Sequence, residues 1–200
     1  MHKAIRHLRQ ADPVLAGIID RVGDYRIQFR APDFETLVKS IVSQQLSGRV
    51  ATVIFGRLLL ATGGTLTPEN ILKLRPARMR ALGLSGQKTE YIRDLARHTR
   101  GGRIRFEELT ALADEEVLAR LTAVKGIGVW TVHMFLMFAL QRLDVLPTGD
   151  LGIRNAIRQA YGLESTPLAS EIEAMAERWH PYCTVASWYL WRSLEPNPNL

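Results

Sequence analysis

Two short stretches carry residue types that could do chemistry. The first runs Leu121-Thr122-Ala123-Val124-Lys125-Gly126-Ile127-Gly128-Val129-Trp130-Thr131-Val132. Two glycines one residue apart, between two helical patterns, permit a tight turn and close backbone approach. The N–H groups of such a turn, and those opening the next helix, make an anion site suited to phosphate. A plain connection between helices uses the same residues, and the stretch alone fits both readings. The second runs Leu146-Pro147-Thr148-Gly149-Asp150-Leu151-Gly152-Ile153-Arg154 and sets a carboxylate at the mouth of another helix. Asp150 is a good N-cap by type. Capping accounts for the acid, but a cap does not need a neighbouring hairpin.

The elements that position these residues read as helices. Asp12-Pro13 is an N-cap followed by Pro at the first helical position, with Val14, Leu15, Ile18, Ile19 and Val22 behind it. Tyr25 to Arg30 is predicted to be briefly extended. Asp33 caps a helix carrying Phe34, Leu37, Val38, Ile41 and Val42 on one face. The polar run Ser43 to Gly48 interrupts it, and a second apolar helix ends at Gly63-Gly64. Short helices begin near Pro68 and Pro76, and Ser85 opens another that stops at Gly101-Gly102. Asp114-Glu115-Glu116 places acids in the first turn before the hairpin, where the helix dipole favours them. The segment from Trp130 to Leu140 is apolar nearly all round, which predicts a central, buried helix. No period-two alternation persists long enough for a sheet. The fold class expected is all-α.

Composition narrows the partners. The 200 residues include 26 Lys+Arg against 20 Asp+Glu, a net charge of +6. A basic chain favours a polyanionic partner, nucleic acid first, although only five of the 26 are Lys. The single cysteine, Cys183, excludes an intrachain disulfide, a cysteine-based zinc site and a four-cysteine iron–sulfur cluster. No two of the five His stand i,i+4, so no zinc is expected. No run approaches the ~20 apolar residues of a membrane span, and the N-terminus lacks the apolar stretch of a signal peptide. A reduced cytoplasmic or nucleoid location, with no membrane, is expected.

In order and spacing these stretches resemble the helix-hairpin-helix DNA glycosylases. In that family a Leu-x-x-h-x-Gly-h-Gly-x-x-Thr hairpin, with h apolar, precedes a Gly/Pro-rich loop and a catalytic Asp. The chain is most similar to the alkylation-repair branch, 3-methyladenine DNA glycosylase II. Trp130 before the hairpin Thr, Trp179-His180-Pro181-Tyr182, Trp188-Tyr189-Leu190-Trp191-Arg192, Ser43-Gln44-Gln45 and Leu82-Gly83-Leu84-Ser85 carry the likeness. It runs from about Phe34 to Arg192.

The resemblance implies a monofunctional glycosylase that hydrolyses the N-glycosidic bond of alkylated bases, such as 3-methyladenine, in duplex DNA. Asp150 is the implied catalytic carboxylate, acting on the sugar's oxocarbenium charge or on the attacking water. Trp130, Met134 and Trp191 are the implied base pocket, Met134 standing where some relatives carry an aromatic. Gln44, Gln45, Leu46 and Ser47 fill the turn that probes the minor groove, with Gln45 or Leu46 favoured as the wedge. Lys125, Gly126, Gly128 and Thr131 complete the DNA-binding set. The carbonyls of Thr122, Val124 and Gly126 resemble the family's site for a monovalent ion, Na or K. No cofactor is required for catalysis.

The departures carry information too. Bifunctional relatives place a Lys where Trp130 stands, so no lyase activity is expected. Lys125 stands where many relatives have Pro, and the iron–sulfur cysteines of some relatives are absent. One domain over 1–200 is expected, a monomer, with subdomains of about 33–110 and of 1–32 plus 111–200 flanking a cleft. Two other readings stand beside this one. One is a glycosylase for another damaged base, and the other is a non-catalytic helix-hairpin-helix DNA-binding protein.

Overall fold

The computed structural model describes residues 1–196, and among them every regular element is helical. The chain divides into two compact units. Among the described residues, one comprises 1–29 and 136–196, the other 30–135.

The first unit opens with α1 (His2–Ala11) and α2 (Pro13–Val22). Helix α1 was not legible in sequence, because it buries only Ala4 and Leu8 within a charge-rich stretch. Asp12 caps α2 as expected, accepting from the N–H groups of Val14 and Leu15. In the second unit, α3 (Phe34–Ser43) is capped by Asp33 through Thr36 N–H at 2.8 Å. Then come α4 (Gly48–Ala61), α5 (Pro68–Lys73) and α6 (Pro76–Ala81), the last two starting on the expected prolines. Helix α7 (Gly86–Arg100), capped by Ser85, is the spine of this unit and packs on α3, α5 and α6 through Ile92, Leu95 and Ala96. The turn α8 (Phe106–Leu109) leads to α9 (Asp114–Thr122), which opens on the three acids. The boundary between the units falls inside α10 (Val129–Phe138). Its first turn is exposed at Val129 and Trp130, and His133, Met134 and Phe138 are half-buried, so the expected buried helix is buried only on part of its surface.

The chain re-enters the first unit through an irregular run to α11 (Leu151–Ala160), then α12 (Ala169–Ala176) and a 3-10 turn at Glu177–Trp179. Helix α13 (Cys183–Ser193) is buried from Cys183 through Leu190 and packs on both α2 and α11. The core joins Leu8, Leu15, Ile19, Ile153, Ile157, Trp179 and Tyr189. Tyr25 to Arg30 pairs with no strand.

The division differs from the expected one in the hairpin. Residues 111–135 lie with the middle helices, not with the termini. The reason is local: Gln44 and Asp94, from α3's end and α7, bond the hairpin backbone, and Tyr91 of α7 packs on Gly126.

Candidate active site and DNA-binding elements

In the first unit, Asp150 closes a four-residue turn, its N–H donating to Pro147 O at 2.9 Å. The run before it is fastened to α13. Thr184 Oγ1 donates to Arg142 O at 2.7 Å and accepts from Val145 N–H at 3.0 Å. Asp150 is the N-cap of α11, and its Oδ1 accepts from Ile153 N–H at 2.8 Å. The same Oδ1 accepts from the indole N–H of Trp191 at 2.8 Å. Ile153 is fully buried, so the first turn of α11 is anchored in the core. Trp191, in the last turn of α13, stacks on Phe138 with ring centroids 6.0 Å apart and planes at 28°. The carboxylate is thereby oriented by two donors on two helices, beside an aromatic face. The structure thus brings two expected site residues, Trp191 and Asp150, into contact.

A third residue makes that contact possible. A Cβ built on Gly152 would stand 3.0 Å from Asp150 Oδ1 and 3.0 Å from Trp191 Cδ1. Sequence reading passed over Gly152 as one glycine in a loop.

In the second unit, the hairpin is held from two sides. Gln44 Nε2 donates to Gly126 O at 2.9 Å, and the Lys125 backbone N–H donates to Asp94 Oδ2 at 3.0 Å. The N–H groups of Val124 and Ile127 are taken by Leu121 O and Val124 O. Three of the N–H groups expected to offer an anion site, those of Val124, Lys125 and Ile127, are therefore already taken. In the first turn of α10, Val132 N–H donates to Gly128 O at 3.1 Å. Gly126 sits at φ +79°, and a Cβ there would fall 2.1 Å from the Tyr91 ring, so glycine is required twice over. Gly128 has open space around it. The Lys125 side chain is exposed.

Two of the expected DNA-binding residues are turned toward their own unit. Thr131 is 5% exposed, so its side chain packs inside the unit. Gln44, half-buried, spends its amide on Gly126 and so braces the hairpin. Gln45, Leu46 and Ser47 are exposed at the turn, and Gln45 takes a left-handed φ of 56°. Lys88, overlooked in sequence, donates to Val42 O at 2.8 Å and Gln44 O at 2.6 Å, closing the end of α3. Burial pulls its pKa down from the usual lysine value. Trp130 is 47% exposed and Met134 half-buried, both on α10 in this second unit.

A group with metal-ligand types stands apart from these residues. Asp144, His180 and Cys183 offer atoms within 4.8 Å of one another. His180 Nδ1 lies 2.8 Å from Asp144 Oδ2, and Cys183 N–H donates to Asp144 Oδ1 at 3.2 Å. Burial, then the neighbouring Asp144 carboxylate, push the Cys183 thiol far up, which keeps it protonated. Burial tends to raise Asp144, but bonds from His180 and Cys183 outweigh it and hold the carboxyl below its usual value. The trio clasps the approach to Asp150 onto α13.

Comparison with known proteins gives consistent relatives. Residues 38–181 match the model of the HhH-GPD superfamily base excision DNA repair proteins. A DNA-3-methyladenine glycosylase of Schizosaccharomyces pombe is 37% identical over 198 residues, covering 96% of this chain and 86% of that protein. A 3-methyladenine DNA glycosylase of the same yeast, solved in complex with abasic DNA, superposes with a TM-score of 0.84 at 38% identity, covering 95% of each chain. A DNA-3-methyladenine glycosidase from Bacillus halodurans superposes at 0.85 with 39% identity, covering 93% of this chain and 86% of that one.

Proposed function

The chain belongs to the HhH-GPD superfamily of base excision DNA repair proteins, and from that premise we propose that it is a monofunctional DNA glycosylase that hydrolyses the N-glycosidic bond of alkylated bases in duplex DNA. The observation that carries the reading is Asp150, a carboxylate held by Ile153 N–H and the Trp191 indole at a helix mouth.

The chemistry follows from those groups. A base must leave the stack before its glycosidic bond can be reached. Alkylation at a purine ring nitrogen makes the base cationic, so it is attracted to an electron-rich face such as Trp191. A cationic base is already a good leaving group and needs no strong acid. The sugar develops positive charge, and a preoriented carboxylate beside it lowers that barrier without reorganising. Asp150 serves as that carboxylate. Trp130 and Met134 are further pocket candidates.

The second unit supplies DNA contact. The exposed Lys125, the glycine turn and the opening of α10 suit phosphates, which position the protein and carry no sequence information. Gln45 or Leu46, at the tip of the turn after α3, enters the gap left by the flipped base. The carbonyls of Thr122, Val124 and Gly126 are neutral oxygen donors. Gly126 O and Val124 O each accept one hydrogen bond and keep a second lone pair, which suits a monovalent cation bridging to phosphate. That ion would aid binding and take no part in bond breaking. The protein acts as a monomer in the cytoplasm or nucleoid. No helix among the described residues is long and apolar enough to cross a membrane.

Water is the nucleophile in this proposal. A lyase needs a deprotonatable Lys amine near the sugar. The lyase position holds Trp130, whose indole cannot attack the sugar, and the hairpin's Lys125 faces solvent. The test uses duplex DNA treated with a methylating agent. Chromatography should find free alkylated purines, and borohydride added during turnover should trap no protein–DNA adduct. Absence of released base overturns the glycosylase reading. A trapped adduct that disappears in Lys125→Ala overturns the monofunctional one.

A further inference from the structure

We propose that Gly152 is a positioning residue: the missing side chain at the first turn of α11 lets the Trp191 indole N–H reach Asp150 Oδ1. The inference rests on Asp150 acting as the proposed function has it.

Glycine at this place is not explained by the backbone. Gly152 lies inside α11 and, unlike Gly126 or Gly162, does not take the left-handed φ that favours glycine. Alanine is the better helix former at such a position. The explanation is space. A Cβ would meet Asp150 Oδ1 at 3.0 Å, Trp191 Cδ1 at 3.0 Å and Trp191 Nε1 at 3.1 Å. Those are the two partners of the 2.8 Å hydrogen bond and the ring that carries its donor. The added carbon would therefore press on both ends of that bond. The indole cannot simply turn aside, because it is also stacked on Phe138. Nor can α11 back away, because the next residue, Ile153, is fully buried and its N–H is the carboxylate's second donor. Gly152 thus controls the direction of the Asp150 carboxylate without touching substrate.

The experiment compares Gly152→Ala, Trp191→Phe and the double variant with wild type. Three quantities are read: the single-turnover rate of base release from methylated duplex, the affinity for a duplex carrying a stable abasic analogue, and solvent exchange of the Trp191 indole proton by NMR. Gly152→Ala should slow the chemical step on the order of tenfold, as a displacement of a few tenths of an ångström implies. Affinity and melting temperature should stay near wild type, and indole exchange should quicken. In the Trp191→Phe background the same alanine should cost nothing more, because the smaller ring leaves room. Unchanged rate and exchange in Gly152→Ala overturn the proposal. So do losses that multiply in the double variant, and so does unfolding that persists in it. A wild type that releases no base overturns the glycosylase reading instead, while indole exchange still decides the role of Gly152.

Discussion

Gln44 donates its side-chain amide to the Gly126 carbonyl at 2.9 Å, bridging 82 positions of sequence. The turn expected to enter DNA and the hairpin expected to grip its phosphates are thereby one mechanical piece. Lys88 tightens it from behind through the carbonyls of Val42 and Gln44. Replacing Gln44 by Leu should leave the helices intact and weaken binding to damaged and undamaged duplex alike, by three- to tenfold for the loss of about 1 kcal/mol. Lys88→Met should do the same and lower stability by about 2 kcal/mol, since charged donors are lost. Equal affinities for wild type and Gln44→Leu, titrated in the same salt, would count against the coupling.

The two hairpin glycines should respond differently. Gly126→Ala meets the Tyr91 ring and a left-handed φ, so thermal unfolding should show a loss of about 3 kcal/mol. Gly128→Ala has open space and should unfold like wild type, yet bind DNA less well because the new methyl stands where a phosphate must approach. Equal melting temperatures for the two variants would refute the asymmetry.

Asp150→Asn should keep the cap and the Trp191 contact, since an amide oxygen accepts both N–H groups. It cannot offer a negative charge to the oxocarbenium. Base release should fall more than a hundredfold, at least ~3 kcal/mol, with folding and DNA affinity nearly unchanged. Single-turnover kinetics on methylated duplex check this, and near-normal release by the folded variant would remove Asp150 from the chemistry.

Asp12 makes a pH-dependent contribution to stability. It is fully buried and accepts from Tyr161 OH at 2.5 Å, Trp179 Nε1 at 2.9 Å and the N–H groups of Val14 and Leu15. Burial alone would raise its pKa, but those bonds and the Arg178 charge together hold it below the ordinary aspartate value of 3.8. A folded-state pKa below the unfolded one adds stability that is complete above pH 3.8 and fades as pH falls toward the folded value. Asp12→Ala should therefore cost about 3 kcal/mol or more near neutrality, from the lost cap and two orphaned donors. The gap to wild type should narrow below pH 4. Denaturant titrations across that range test it, and a gap independent of pH would contradict the assignment.

What was legible in the sequence was local. The caps at Asp12, Asp33, Ser85 and Asp150 depend on the few residues after them and stand as read. The apolar faces of α2, α3 and α4 follow from spacing alone. The tie from Gln44 to Gly126 and the clearance at Gly152 depend on which distant residue arrives, and no periodicity carries that. Thr131 shows the complementary failure. A motif marks a position as belonging to the hairpin without saying which way its side chain points, and this one points inward. Lys88 was one lysine of five until α3 ended against it.

The buried thiol has a use for spectroscopy. Cys183 is the chain's single cysteine, fully enclosed, and kept protonated by burial and by Asp144. Maleimides and aromatic disulfides attack thiolates they can reach, so the native fold should resist labelling until denaturant opens it. A cysteine introduced at Gln45, on the exposed turn, would then be the one labelled position. A fluorophore or spin label there could follow that turn meeting a duplex in real time, with no background from the rest of the protein.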